Sequence, residues 1–78
     1  MDEAVAFGKV LRRLRKEAGL TQEQLGLEAD LRRTYVSILE LGQQQPSLST
    51  LLKLARALNC PASSLVAAVE DELSRNPD

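Results

Sequence analysis

The chain has 78 residues, enough for one domain; a domain this small buries roughly 60% of its unfolded surface, so it depends on regular packing or on a second subunit. Hydrophobic residues at 44% and charged residues at 27% exclude a disordered or membrane-spanning composition. A formal net charge of −1, no histidine and a single cysteine exclude an internal disulfide and remove the usual general base and commonest metal ligand, so no enzyme, cofactor or metal site is expected.

Phe7, Val10, Leu11, Leu14 and Ala18 recur at helical spacing with Lys9, Arg12, Arg13 and Lys16 on the other faces, predicting an amphipathic first helix of roughly fifteen residues. Asp2 or Glu3 suits its positive end, Arg15 and Lys16 its negative end. Gly19 stops it, with Leu20 folding back on the last turn. Thr21 to Gln24 has the form of a capping box, which starts a short second helix running to about Ala29. Leu25 and Ala29 form its inner face, and Gly26, costly within a helix, is expected to admit another helix closely.

Asp30 and Leu31 break the pattern, and Asp tolerates the left-handed conformation of a tight turn. A third helix follows, in LRRTYVSILELG, and Gly42 closes it. Val36 and Leu39 face the core, while Thr34, Ser37, Ile38 and Leu41 form an outward stripe. Gln43 to Pro46 is a loop, because proline pushes the residue before it out of the helical region. Ser47 caps a fourth helix with Leu48, Leu51, Leu52, Ala55 and Leu58 on one face and Asn59 at its end. Pro61 fits the first position of a fifth helix, about 62–74. Its stripe of Ala62, Leu65, Val66, Val69 and Leu73 is longer than one small core needs. Leu65 is assigned to the core, and Val66, Val69 and Leu73 to a second subunit. Arg75 to Asp78 are expected to fray. The fold class expected is all-α: a five-helix bundle with a helix-turn-helix at about 21–41.

Charge is unevenly spread. Residues 61–78 carry Arg75 against Glu70, Asp71, Glu72 and Asp78, while the rest of the chain holds nine basic against seven acidic residues. An acidic tail thus masks a mildly basic body, and patches rather than net charge govern steering. No apolar run approaches the ~18 residues of a membrane helix and no signal-peptide pattern opens the chain, so a cytoplasmic protein is expected.

Two short helices joined by a tight turn between longer ones form the helix-turn-helix arrangement. GLTQEQL at 19–25, TYVSILELG at 34–42 and PSLSTLLKLARAL at 46–58 together resemble the phage-repressor and Cro family, the Xre-type regulators, over about residues 7–66. The resemblance implies a lambda-repressor-like DNA-binding domain, a homodimer and a palindromic operator. It implies that Gln22 holds a DNA phosphate and braces the third helix, and that Arg33, Thr34, Ser37 and Ile38 reach base edges. It also implies a structural ion pair between Arg15 and Glu40. At this size it extends to restriction–modification controller proteins and small autoregulators.

Three departures from the family pattern carry their own expectations. Arg32 stands where Ser or Thr usually caps the third helix, leaving two arginines at the positive end of a helix dipole until a phosphate reverses the balance. Gln43 and Gln44 replace the usual basic residues after that helix, so fewer counterions are released on DNA binding. Ile38 and Leu41 are apolar where polar or basic residues are usual, and Leu27 is likewise apolar. Three readings of Ile38 stand: contact with thymine methyls, contact with a protein partner, or plain partial burial. Double-stranded DNA is the principal partner expected. The alternative is a protein-interaction module, such as the antitoxin subunit of a pair, acting through Leu27, Ile38 and Leu41. Cys60 reads as a small hydrophobe, and the basic face of the first helix and the Glu70–Glu72 run as solvated faces.

Overall fold

The computed structural model describes residues 1–76, and Pro77 and Asp78 lie outside the described residues. Five helices follow one another: α1 (Glu3–Glu17), α2 (Gln22–Ala29), α3 (Arg33–Glu40), α4 (Leu48–Ala57) and α5 (Ala62–Arg75). Strands are absent among the described residues.

Local chemistry accounts for where the helices begin. Asp2 accepts a hydrogen bond from the Val5 amide at 2.8 Å and so caps α1. The box at α2 is complete: Thr21 Oγ1 accepts from the Gln24 amide at 3.0 Å, and Gln24 Oε1 accepts from the Thr21 amide at 2.8 Å. Ser47 caps α4 by accepting from the Thr50 amide at 3.1 Å. Pro61 precedes α5 rather than opening it. Its φ of −65° suits a helix, but its ψ of 144° is extended, so Ala62 is the first helical residue.

Four helices end in the same way. Gly19, Asp30, Gly42 and Asn59 take left-handed φ values of 74°, 58°, 74° and 58°. The residue after each donates its amide back into the closing turn: Leu20 to Arg15, Leu31 to Gly26, Gln43 to Ile38 and Cys60 to Ala55. These Schellman bonds satisfy carbonyls that a helix end otherwise leaves unpaired. Expected fraying from Arg75 meets a correction: Arg75 is the last residue of α5, paired with Asp71 at 2.6 Å. The part of that expectation covering Pro77 and Asp78 lies outside the described residues.

Each helix contributes one fully buried leucine to a common centre: Leu11, Leu25, Leu39, Leu54 and Leu65. Removing any one of them to alanine costs about 2–5 kcal/mol. Phe7, Val10, Ala29, Val36 and Ala55 complete the cluster. Helix α1 packs on both α3 and α5, α2 on α3 and α4, and α4 on α5. The Arg13–Glu72 pair, 3.7 Å apart, adds a link between α1 and α5 at the rim.

Two assignments of inward residues change. On α4, Leu54 is fully buried and Leu51, Ala55 and Leu58 pack with it, while Leu48 and Leu52 are 72% and 46% exposed. The helix offers two overlapping apolar stripes, and the one at 51, 54, 55 and 58 meets α2 and α5. On α1, Ala18 lies beyond the last helical turn and is exposed, whereas Ala6 and Gly8 are buried.

Candidate nucleic-acid interface

One polar network joins α1, α2 and α3. Arg15 donates through Nε to Glu40 Oε2 at 2.6 Å and through Nη2 to Glu40 Oε1 at 3.0 Å. Its third nitrogen, Nη1, donates to the Leu20 carbonyl at 2.9 Å and so holds the α1–α2 corner. Gln22 Nε2 donates to Glu40 Oε1 at 3.1 Å. Side-chain exposure is 10% for Arg15 and 3% for Glu40, so this is a buried, bidentate pair in which every Arg15 nitrogen has a partner. The hydrogen bond to Glu40 holds the Arg15 guanidinium above its ordinary range, against the opposing effect of burial, and the Glu40 charge adds to the rise. A raised cation keeps its stabilising contribution below that range and loses it only above, so Arg15 stays charged at every ordinary pH.

The opposite end of α3 has no such partners. Arg32 stands at the cap with extended φ and ψ of −74° and 145°, and its side chain caps nothing. Arg32, Arg33 and Thr34 are exposed, and Ser37 and Ile38 are half-buried on the same outward side. None of these polar side chains makes a hydrogen bond or ion pair with another described residue. The first turn of α3 also lacks an acidic residue. Unpaired amides and two guanidinium groups therefore face outward together, an arrangement that attracts an anion.

A surface hollow brings part of this end to α2. It is lined by Arg15, Gly19, Leu20, Thr21, Gln22, Glu23 and Arg33. Gln22 and Arg33, far apart in sequence, thus share one concavity at the N-terminus of α2. Gln43 and Gln44 are exposed at the other end of α3, about 12 Å away along an eight-residue helix. They border the same outward side without joining that hollow.

The apolar candidates divide. Leu27 is 78% and Leu41 65% exposed. Leu27 borders a second hollow with Gly26, Asp30, Leu31 and Arg32 at the α2–α3 turn. On α5, Val66 is exposed, Leu73 is half-buried and Val69 packs in part against its own core. Leu48 and Leu52, assigned inward from sequence, add two exposed leucines to the outer side of α4. Gly8 is a further position that periodicity passed over. A glycine inside a well-formed helix was the available signal, the same one that drew attention to Gly26.

Cys60 is a free thiol, half-buried against the core. Among the described residues, no helix is long and apolar enough to cross a membrane, and no cluster of three or more ligating side chains could hold a metal ion.

Comparison with known proteins matches a helix-turn-helix family model to residues 11–65. The HTH-type transcriptional regulator y4dJ of Sinorhizobium fredii is 37% identical over 71 residues, 91% of this chain and 92% of that one. Control protein C.MunI of a Mycoplasma species is 39% identical over 72 residues, 91% of this chain and 97% of that one. The crystal structure of the restriction-modification controller protein C.AhdI from Aeromonas hydrophila is similar at a TM-score of 0.77 and 45% identity, covering 80% of this chain and 94% of that one. With the two short helices, their tight turn and the exposed basic end of the second already described, the chain belongs to the helix-turn-helix family of DNA-binding transcriptional regulators.

Proposed function

We propose that this regulator binds a palindromic operator as a homodimer in the cytoplasm, with α3 of each subunit in the major groove. The observation that carries the reading is the open N-terminal end of α3, where Arg32, Arg33 and Thr34 are exposed and uncapped and Arg33 shares a hollow with the N-terminus of α2. In this reading Arg33, Thr34, Ser37 and Ile38 meet base edges, and Arg32 and Gln22 hold phosphates on one side of the groove. Gln43 and Gln44 contact backbone beyond the other end of the helix. Val66, Val69 and Leu73 contribute to the subunit interface, and the exposed Leu48 and Leu52 support extending it onto α4. The likeness to control proteins supports a controller's role, in which the concentration of dimer sets operator occupancy. No catalytic step is assigned.

Selection of duplexes from a random library tests this directly. The expected product is a palindrome whose half-sites lie about 10 base pairs apart, one helical turn. On that duplex Arg33→Ala is expected to lose about 10- to 100-fold in affinity, the size of a lost bidentate base contact, with its denaturation midpoint unchanged. Failure to enrich any duplex would overturn the reading.

Exposure of Leu27 and Leu41 favours a second reading, a protein partner such as the toxin of an antitoxin pair. That reading expects Leu27→Ser and Leu41→Ser to leave DNA affinity intact while abolishing co-purification of that partner.

A further inference from the structure

One glycine seats the last turn of α3, and another admits the turn that leads into it. An ideal side-chain carbon built on Gly8 would lie 2.6 Å from the carbonyl oxygens of both Leu39 and Glu40. One built on Gly26 would lie 2.6 Å from the Leu31 carbonyl oxygen, in the turn that leads into the same helix. Both obstacles are backbone, which cannot swing aside as the tip of a side chain can. Glycine is also the poorest ordinary helix former, so α1 gives up helix propensity at position 8 and gains the close approach of α3.

Two more contacts fall on the same turn of α3. Its Glu40 side chain reaches Arg15, two turns further along α1 than Gly8. Just past its end, a side-chain carbon on Gly42 would lie 3.0 Å from Val5 Cα. The C-terminal end of α3 and the glycine after it therefore meet α1 at three levels: Gly42 at Val5, the Leu39 and Glu40 carbonyls at Gly8, and the Glu40 side chain at Arg15. Contacts at separate levels along one helix set the tilt of its neighbour as well as its distance.

We propose that Gly8 is a positioning residue for DNA binding. It lets the last turn of α3 rest directly on α1, and this sets the tilt at which Arg33, Thr34 and Ser37 stand relative to Gln22. The proposal rests on the reading of α3 as the DNA-contacting helix. Side-chain carbons essentially never come within 3.0 Å of such an atom, so a methyl group at position 8 displaces the last turn of α3 by at least about 0.4 Å. Hydrogen bonds to base edges tolerate only a few tenths of an ångström before they weaken. Sequence reading is therefore lost before the fold is.

The test compares wild type with Gly8→Ala on three measurements: the melting transition, the Arg15 Nε–H resonance, and affinity for a wild-type-selected duplex against one of random sequence. The variant is expected to melt cooperatively and to show an Arg15 Nε–H signal moved toward that of a free guanidinium. Affinity for the selected duplex should fall about tenfold or more, while affinity for the random duplex changes less than about twofold. Selected-duplex affinity within twofold of wild type, or an equal loss on both duplexes, overturns the proposal. Should Gly8→Ala not fold, Gly42→Asn presses Val5 by a few tenths of an ångström at the same seat, and asparagine tolerates the φ of 74°. That variant is expected to lose about threefold selectively, and unchanged selectivity there overturns the proposal. If wild type selects no duplex, the failure belongs to the DNA reading, and an unmoved Arg15 signal in Gly8→Ala still sinks the seat.

Discussion

The two ends of α3 are built on opposite plans, although the helix is only eight residues long. At the C-terminal end the protein supplies every partner: Glu40 takes three hydrogen bonds from Arg15 and Gln22, and its side chain is 3% exposed. At the N-terminal end no described residue supplies a side-chain partner, and two arginines stand at an uncapped helix start. The first end is completed within the chain and holds the helix in place. The second, in the proposed reading, is completed by an external anion. Rigidity at one end makes an unfinished opposite end usable, because exposed groups read a ligand only when their backbone is held still.

The largest effect expected from attacking this contrast is at the braced end. Glu40→Ala leaves the Arg15 charge buried without its partner and should cost about 3–5 kcal/mol in chemical denaturation. Replacing both, as Arg15→Met with Glu40→Leu, should recover most of that loss, since the penalty lies in an uncompensated charge. If the single variant denatures like wild type, the brace does not exist in solution.

A smaller effect, of reversed sign, is expected at the open end. Arg32→Ser supplies the missing cap and should stabilise the free protein by about 1 kcal/mol. It should at the same time weaken DNA binding, because a completed helix start has less to gain from a phosphate. A destabilised variant, or one with unchanged DNA affinity, removes the claim that this end is left unfinished for DNA. The smallest effect concerns the loop beyond the braced end. With Gln43 and Gln44 in place of basic residues, binding should weaken only gently with salt. Gln43→Lys should steepen the slope of log affinity against log salt by ~0.9, one additional neutralised phosphate. An unchanged slope places the loop away from the DNA backbone.

Much of this was legible along the chain because its punctuation is local. Thr21 with Gln24, Ser47, and the left-handed residues Gly19, Gly42 and Asn59 act within one turn of their own position, so neighbouring residues suffice to recognise them. The core positions Leu25, Val36, Leu39 and Leu65 followed from helical period for the same reason. Helix α4 was misread where period has no unique answer. Leu48, Leu51, Leu52, Ala55 and Leu58 fit one broad stripe, and only the positions of α2 and α5 select Leu54 for the core and turn Leu48 and Leu52 outward. The candidate interface was legible in part. Arg32, Arg33 and Thr34 stand where their helix position placed them. That Gln22 and Arg33 line one hollow depends on how α2 meets α3, which no local pattern encodes.

The helices, their ends and most inward faces are readable from neighbouring residues alone, since they depend on caps, turn residues and periodicity within a few residues of each other. So is the start of α3, with two arginines and no cap. Which leucines of α4 remain exposed, and how closely α3 approaches α1 at Gly8, emerged only from the packed helices. Their packing also set the geometry of the Arg15, Gln22 and Glu40 cluster, whose ion pair the family resemblance implies without its distances. These outcomes depend on the distance and angle between helices, which are set by the packing of the whole core at once and not by any one segment.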